Sequence, residues 1–159
     1  VYKRQDHMNS YKIPVEEVAN YFLSKLDAET EDCISNLKLQ KLVYYAQGFV
    51  MALKDKKLFD EPIEAWEHGP VVNCLYQKYK KNGASAITRK ENEDFDYSKL
   101  SEHPDLMDIL DDVYKVYGQF SAWRLRDMTH QETPWLETVR NEKISDGLML
   151  AFFKTQIVE

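Results

Sequence analysis

One segment constrains the fold more than any other, because its apolar residues cover most of a helical circumference. Residues 36–53 carry one apolar set at spacings of three and four and a second apolar set on another face. The first set is Leu39, Leu42, Val43, Ala46, Phe49, Val50 and Leu53, and the second is Leu37, Tyr44, Tyr45, Gly48 and Met51. A helix that is apolar nearly all round is buried among other elements. We therefore predict a helical fold with this helix at its centre and Asn36 as its N-cap.

Prolines and serines mark the starts of further helices. Four of the five prolines precede a segment with helical spacing, namely Pro14, Pro70, Pro104 and Pro134. Proline fits a first helical turn because the N–H that it lacks would have no helical partner there. Ser121 and Ser145 are the predicted N-caps of two more helices. The predicted fold is mainly α, a single compact bundle of about seven helices around the central hydrophobic helix.

Three stretches depart from this helical pattern. Residues 63–66 are a candidate short strand with residues 87–89 as its candidate partner, which leaves room for one small β-hairpin. Residues 90–101 show no period and are predicted to form a surface loop. The N-terminal residues are polar and have no helical period, so we assign residues 1–12 to a disordered or extraneous leader. The helical domain is then predicted to span residues 13–159.

Charge and composition exclude several classes of protein. The chain has 21 Lys and Arg against 27 Asp and Glu, a formal charge of −6. This charge disfavours general nucleic-acid binding, whose affinity comes from neutralising many phosphates. No apolar stretch reaches the ~18 residues that read as a membrane span, and no secretory signal is visible. Two cysteines far apart in the chain fit a reducing compartment. We predict a cytoplasmic protein that does not enter a membrane.

The sequence offers few groups for catalysis. Four histidines are too scattered to place two ligands on one helix face, so no metal and no cofactor are predicted. Asp108, Asp111 and Asp112 share a helix face that we interpret as solvated. His68 and His130 lie near carboxylates and are candidate acid or base groups, but no serine or cysteine lies in a nucleophile motif. We predict no enzymatic activity, with a hydrolase that uses His68 and His130 as an alternative.

Aromatic residues are unusually frequent for a small domain, at 13% of the chain. The tyrosines exceed what one apolar stripe per helix would bury, and Tyr, Trp and Arg are the preferred anchors of protein interfaces. We therefore predict a partner-binding face that includes the loop of residues 82–101. Its candidate side chains are Tyr44, Tyr45, Trp66, His68, Tyr76, Tyr79, Arg124, Arg126 and His130.

Three segments in a fixed order carry a resemblance to a known family. They are NLKLQKLVYYAQGF (36–49), DEPIEAWEHGPVVNCLYQKY (60–79) and SAWRLRDMTHQETPW (121–135). Together they resemble the Panacea domain family, the former DUF4065 group, which contains SocA-like antitoxins and GepA-like phage-associated proteins. The likeness covers about residues 15–157.

The resemblance implies an antitoxin that binds and neutralises a protein toxin encoded beside it. In SocA-like members it also implies an adaptor that delivers the toxin to an ATP-dependent protease, ClpXP. The alternative is a phage-associated host-interaction or scaffold protein. Too few residues precede Pro14 for a helix-turn-helix, so DNA binding by this chain alone is not expected.

The resemblance also assigns structural roles to individual positions. It implies that Gly69 and Pro70 form a turn, that the tryptophans pack, and that His130 orders the loop before Pro134. His68 is a departure, because an aromatic residue is expected there. The family pattern falls on Leu39, Gln40, Lys41, Leu42 and Tyr45, then on Trp66, Gly69, Pro70 and Val71, and finally on Thr129, His130, Pro134 and Trp135.

Overall fold

The computed structural model describes residues 8–26, 34–87 and 95–157. These residues contain seven α-helices and one two-stranded antiparallel hairpin, which confirms the mainly α prediction. The elements in chain order are α1 (Val15–Ser24), α2 (Asn36–Lys54), β1 (Glu64–Trp66), β2 (Gly69–Val71), α3 (Asn73–Tyr79), α4 (Pro104–Tyr117), α5 (Ala122–Thr129), α6 (Thr133–Leu136) and α7 (Asp146–Lys154). Short 3₁₀ turns form at Lys80–Asn82 and Leu100–Glu102.

Helix α2 lies at the centre, as predicted. Fifteen of its 19 residues are buried, and α1, α3, α4, α5, α7 and β2 pack around it. Its N-cap is Ser35, whose hydroxyl accepts the Lys38 backbone N–H at 3.2 Å. The prediction of Asn36 as the cap is wrong by one residue. The Asn36 side chain turns instead toward α3 and donates to the Tyr76 carbonyl at 3.1 Å.

Most of the other predicted helix starts are confirmed. Pro14 directly precedes α1, and Pro104 and Pro134 lie in the first turns of α4 and α6. Ser121 and Ser145 cap α5 and α7 through hydroxyls that accept backbone N–H groups three residues later. These starts were predictable because a cap or a proline acts within one turn of its own position.

The β-hairpin corrects two predictions. Pro70 pairs with Ala65 within the hairpin, so it does not begin a helix, and α3 starts at Asn73. The partner of β1 is the adjacent β2 rather than residues 87–89. Ile87 instead donates its backbone N–H to the Ile34 carbonyl at 2.7 Å, and residues 88–89 lie outside the described residues. Three-residue strands carry too little periodicity to reveal their partner.

The outer edge of β1 is covered by the segment before α7. The Ala65 N–H donates to the Glu142 carbonyl at 2.9 Å, and the Ile144 N–H donates to the Ile63 carbonyl at 2.8 Å. Glu64 and Lys143 form an isolated antiparallel bridge between the same two segments. The hairpin therefore presents its turn, rather than an open edge, to the surface.

Parts of the two segments that we assigned to a leader and to a surface loop, residues 8–12 and 95–101, are hydrogen-bonded to the rest of the fold. The Tyr11 N–H donates to the Lys57 carbonyl, and the Lys57 N–H donates to the Asn9 carbonyl, both at 2.8 Å. Leu100 is buried, and its N–H donates to the Glu17 carboxylate at 3.2 Å. The described part of residues 1–12 is thus held by hydrogen bonds between backbone groups, and that of residues 90–101 by backbone N–H groups that donate to the Glu17 side chain. Residues 1–7 and 90–94 lie outside the described residues.

Candidate partner-binding surface

The turn of the β-hairpin meets the first turns of α5 at the protein surface. Helix α5 leaves Trp123 56% exposed. The guanidinium of Arg126 lies 4.5 Å from the Trp123 ring centroid, and its Nε donates to His68 Nδ1 at 3.2 Å. A stacked arginine holds an exposed indole in one orientation. We call Trp123, Arg126 and His68 the tryptophan–arginine surface.

A groove opens beside this surface, between the hairpin, α2 and α3. Its volume is about 440 Å³, and His68 belongs both to the groove wall and to the tryptophan–arginine surface. Trp66 and Tyr76 meet there edge to face, with ring centroids 5.0 Å apart. We call it the hairpin groove, and its lining is Asn36, Leu37, Gln40, Trp66, Glu67, His68, Val71, Tyr76, Lys80, Gly83, Ala84 and Asn141.

Lys41 supports the hairpin from inside the protein. Its side chain is fully buried, and Nζ donates to the Pro70 carbonyl at 3.0 Å. Burial, and secondarily the positive charge of Arg126, lowers the pKa of Lys41 to about 7. Gly69 has φ of +110°, and a Cβ there would come within 2.6 Å of Lys41 Cε and 2.8 Å of Thr129 Oγ1. The hairpin backbone therefore lies directly against α2 and α5 and leaves no room for a side chain at Gly69.

The neighbouring residue of α2 fixes the other end of the hairpin. Gln40 Oε1 accepts the Val72 backbone N–H at 3.0 Å, and Gln40 Nε2 donates to Asn36 Oδ1 at 2.9 Å. Leu39 and Leu42 lie in the hydrophobic core. The family pattern covers Leu39, Gln40, Lys41 and Leu42. In the structure Leu39 and Leu42 are core residues, whereas the side chains of Gln40 and Lys41 hold the hairpin.

Trp135 joins the hairpin to the segment after α5. Its Nε1 donates to the Trp66 carbonyl at 2.7 Å, and the His130 ring stacks on it at 3.9 Å. The Arg140 guanidinium also lies 3.6 Å from the Trp135 ring centroid. Burial, and secondarily Arg126, lowers the pKa of His130, while a hydrogen bond to the Glu67 backbone acts in the opposite direction. His130 is half-buried and supports the hairpin from below.

Tyr44 and Tyr45 correct the expectation that these tyrosines are exposed. Both are fully buried, and their hydroxyls donate to the two carboxylate oxygens of Glu132 at 2.8 Å each. Burial raises the pKa of Glu132 to about 7, although the two hydrogen bonds act to lower it. The Tyr45 ring also stacks on Tyr117 at 3.9 Å. In the described structure these two tyrosines are core residues.

The remaining predicted partner-binding residues lie in two places. Trp66, His68, Tyr76 and Arg126 come together at the tryptophan–arginine surface and the hairpin groove, and Arg124 is exposed on the same helix as Arg126. Tyr79 is half-buried at the end of α3, where it packs against the core.

Sequence reasoning missed Trp123 and Glu132. In α5 the buried residues are Leu125 and Thr129, which are one helical turn apart. Trp123 falls off that stripe, and this spacing was the available signal for its exposure. Glu132 carries no periodic signal. Only the need of two buried tyrosine hydroxyls for an acceptor pointed to such a residue.

The two histidines do not form an acid–base pair with a carboxylate. His68 accepts a hydrogen bond from Arg126, and His130 stacks on Trp135. Across residues 8–26, 34–87 and 95–157, no group of three His, Cys, Asp or Glu residues is placed to hold a metal ion. In that same part of the chain, no helix is both long enough and apolar enough to cross a membrane.

Comparison with known proteins identifies the family. The model of the antitoxin SocA-like, Panacea domain family matches residues 39–136, which contain α2 from Leu39 onward, the hairpin, α5 and Glu132. The chain belongs to this family. Among curated proteins, Antitoxin SocA of Caulobacter vibrioides (strain NA1000 / CB15N) is 32% identical over 125 residues, or 74% of this chain and 66% of that antitoxin. The match thus spans just under two thirds of that relative's length. No solved structure matches the chain.

Proposed function

We propose that the protein is an antitoxin that neutralises a protein toxin by binding it directly. The observation that carries this proposal is the tryptophan–arginine surface, which lies within the residues that match the antitoxin family. Tryptophan and arginine dominate the binding energy of protein interfaces when a partner covers them. Here they are held in place before binding, which reduces the entropy lost on association.

The interface that we propose joins the tryptophan–arginine surface to the hairpin groove. Trp66 and Tyr76 supply aromatic walls, and Trp123 supplies an exposed ring beside them. A stable complex buries about 1,200–2,000 Å² of total surface, so we propose one interface that spans both features. Arg124 extends the same side of α5, and Tyr79 and His130 act through packing beneath the surface.

The partner that suits this chain is a basic protein toxin encoded by a neighbouring gene. The formal charge of −6 favours a positively charged partner, because complementary fields accelerate encounter. In this proposal the antitoxin acts stoichiometrically and makes or breaks no covalent bond. An adaptor role, in which the bound toxin passes to an ATP-dependent protease such as ClpXP, remains part of the proposal as a second step after binding.

Growth rescue tests the proposal. The neighbouring gene is expressed alone and together with this protein, and we expect arrest in the first case and growth in the second. Trp123→Ala and Arg126→Ala should each reduce rescue and co-purification. Matched controls are Val139→Ala, at an apolar side chain that is 71% exposed, and Lys115→Ala, at an exposed cation.

Four outcomes bear on the proposal. Rescue without a physical complex would contradict the proposal. If the control variants lose rescue to the same extent, the tryptophan–arginine surface is not the toxin-binding site. Toxin that persists at constant level in the complex, with or without the protease, indicates blocking, whereas protease-dependent loss of toxin indicates the adaptor role.

A further inference from the structure

A second recess lies at the other end of α2 from the hairpin groove. Its volume is about 330 Å³, within the range of ligand-binding pockets, and it lies between the last turns of α2, helix α4 and the C-terminal residues. Leu53 and Val116 line it and are 50% and 48% exposed. Scattered exposed apolar residues need no explanation, but two side by side in one recess form a contiguous patch. We call this recess the α2–α4 groove.

The walls of the groove have the spacing of a helix-binding site. Phe49 and Leu53 are one turn apart on α2, and Ile109, Val113 and Val116 recur at three and four residues on α4. The α4 wall from residue 109 to 117 is about 12 Å long, which is roughly two helical turns. Grooves of this kind take an amphipathic helix that inserts apolar side chains at the same spacing.

The floor of the groove is already packed. Phe49 meets Phe153 edge to face at 5.1 Å and Tyr117 at 6.0 Å, and Tyr117 stacks on Tyr45. Because these rings are fixed by the core, a partner does not have to order them on binding.

Charge at the groove indicates what kind of helix fits. Asp112 is the one charged side chain that lines it, and in the described part of the chain Asp112 has no ion-pair partner. Two other carboxylates of α4 are neutralised within the protein, Asp105 by Lys54 at 2.8 Å and Asp111 by Lys25 at 2.6 Å. The free carboxylate at the rim is therefore complementary to a basic side chain on the partner.

We propose that the α2–α4 groove binds an amphipathic helix of a partner polypeptide, apolar on one face and carrying Lys or Arg where it passes Asp112. This inference rests on the proposed function for the identity of the partner, which is the toxin. It adds a second contact, separate from the tryptophan–arginine surface, by which one acidic domain engages a basic protein.

A designed peptide tests the groove without the toxin. The probe is a dye-labelled 14-residue helix with leucines at helical spacing and flanking lysines, and its counterpart has glutamates in place of the lysines. By fluorescence anisotropy we expect the lysine peptide to bind at one site and the glutamate peptide to bind at least about 5-fold more weakly, as one partly exposed ion pair allows. Asp112→Lys should reverse the preference, and the net-charge control Asp60→Lys should preserve it.

Variants of the apolar walls complete the test. Leu53→Asp and Val116→Asp should abolish binding of the lysine peptide, whereas Val139→Asp, which adds the same charge at an exposed apolar site elsewhere, should not. Because all three side chains are at least 48% exposed, their variants should fold, and circular dichroism checks this. Equal binding of the two peptides, or undiminished binding to Val116→Asp, would overturn the inference.

The same variants separate this inference from the proposed function. Failure of the peptide to bind, with the toxin complex intact in Val116→Asp, refutes the groove and leaves the antitoxin proposal standing. A dimer in light scattering that Val116→Asp dissociates would assign the groove to a second copy of the chain and also refute the inference. Peptide binding that persists in Trp123→Ala, while toxin binding is lost, supports two separate contacts.

Discussion

Lys41 is fully buried and Glu132 is half-buried, and in the described structure neither has an oppositely charged partner. Lys41 Nζ donates to the Pro70 carbonyl, and Glu132 accepts from Tyr44 and Tyr45. Burial moves the pKa of each group to about 7 from opposite directions. A buried ionisable group without a counter-charge makes stability depend on pH. The pH dependence of stability therefore reports on the burial of these two groups, one beneath the hairpin and the other beside the core.

Glu132→Gln is expected to remove a loss of stability between pH 5 and pH 7. The folded carboxyl keeps its proton up to about pH 7, whereas the unfolded one loses it near 4.5. The stability that this proton supplies is full below pH 4.5 and is lost as pH rises to 7, by up to roughly 3 kcal/mol. Urea unfolding at pH 5, 6, 7 and 8 should show that the free energy of unfolding of the wild type falls relative to that of Glu132→Gln as the pH rises. Parallel curves, as expected for the exposed control Glu137→Gln, would contradict the assignment.

Lys41→Met is expected to remove a dependence of the opposite sign at alkaline pH. The folded lysine loses its proton near pH 7, whereas the unfolded lysine keeps it to about 10.5. The unfolded state therefore binds more protons between these values, and wild-type stability rises with pH by at most about 1.4 kcal/mol per unit. Between pH 7 and pH 9.5 we expect the free energy of unfolding of the wild type to rise relative to that of Lys41→Met. Relative to the exposed control Lys115→Met it should stay constant. A constant difference across this range would refute a neutral buried lysine.

Helices α2 and α7 lie so close together that a side chain at one glycine of α2 would clash with α7. A Cβ at Gly48 of α2 would overlap the Phe153 ring of α7. Phe153 is itself buried and meets Tyr44, Tyr45 and Phe49 through its ring, so it has little freedom to move. Helix α7, which is far from α2 in sequence, therefore requires the absence of a side chain at Gly48.

Gly48→Ala is expected to destabilise the protein despite the better helix propensity of alanine. The propensity gain is about 0.5–1 kcal/mol, whereas overpacking a core costs typically about 1–3 kcal/mol. The cost of overpacking is larger, so chemical denaturation should show a free energy of unfolding that is lower by roughly 1–2 kcal/mol. In a protein that already carries Phe153→Leu, Gly48→Ala should leave the free energy of unfolding nearly unchanged. A stabilised single variant would show that α7 does not lie against Gly48.

The sequence predicted those elements whose signals are local. Pro14, Ser121 and Ser145 act within one turn of the helices that they start, and α2 identifies itself by its apolar circumference. The hairpin was predicted only as a possibility. Neither its second strand nor its register was predicted. Its position depends on Gln40 and Lys41, about thirty residues away, and a three-residue strand shows no period that would reveal such contacts.

The same limit explains which parts of the candidate surface were predictable. Interface propensity selected Trp66, His68, Tyr76 and Arg126, which lie close together in the structure, and their role in partner binding stays a prediction. It also selected Tyr44 and Tyr45, because an apolar second face on a helix does not show which distant element covers it. Phe153 and Glu132 provide that cover, and neither is near α2 in sequence.

In the described part of the chain, one recess lies near each end of the central helix α2. The hairpin groove lies beside α2 residues 36–40, and the α2–α4 groove lies beside residues 49–53. About nine helical residues, or roughly 13 Å, separate them along α2. Our two proposals assign one toxin contact to each recess, and the variants designed for one recess leave the lining residues of the other unchanged.

Calorimetric titration of the purified toxin with this protein tests the central claim, which is direct binding through the tryptophan–arginine surface. We expect a stoichiometric complex that Trp123→Ala weakens by roughly 30-fold or more, as the loss of a central interface tryptophan implies. Val139→Ala, at the most exposed apolar side chain among the described residues, should leave the Kd unchanged. The absence of binding heat with an active toxin, or an equal Kd for wild type and Trp123→Ala, would contradict the account.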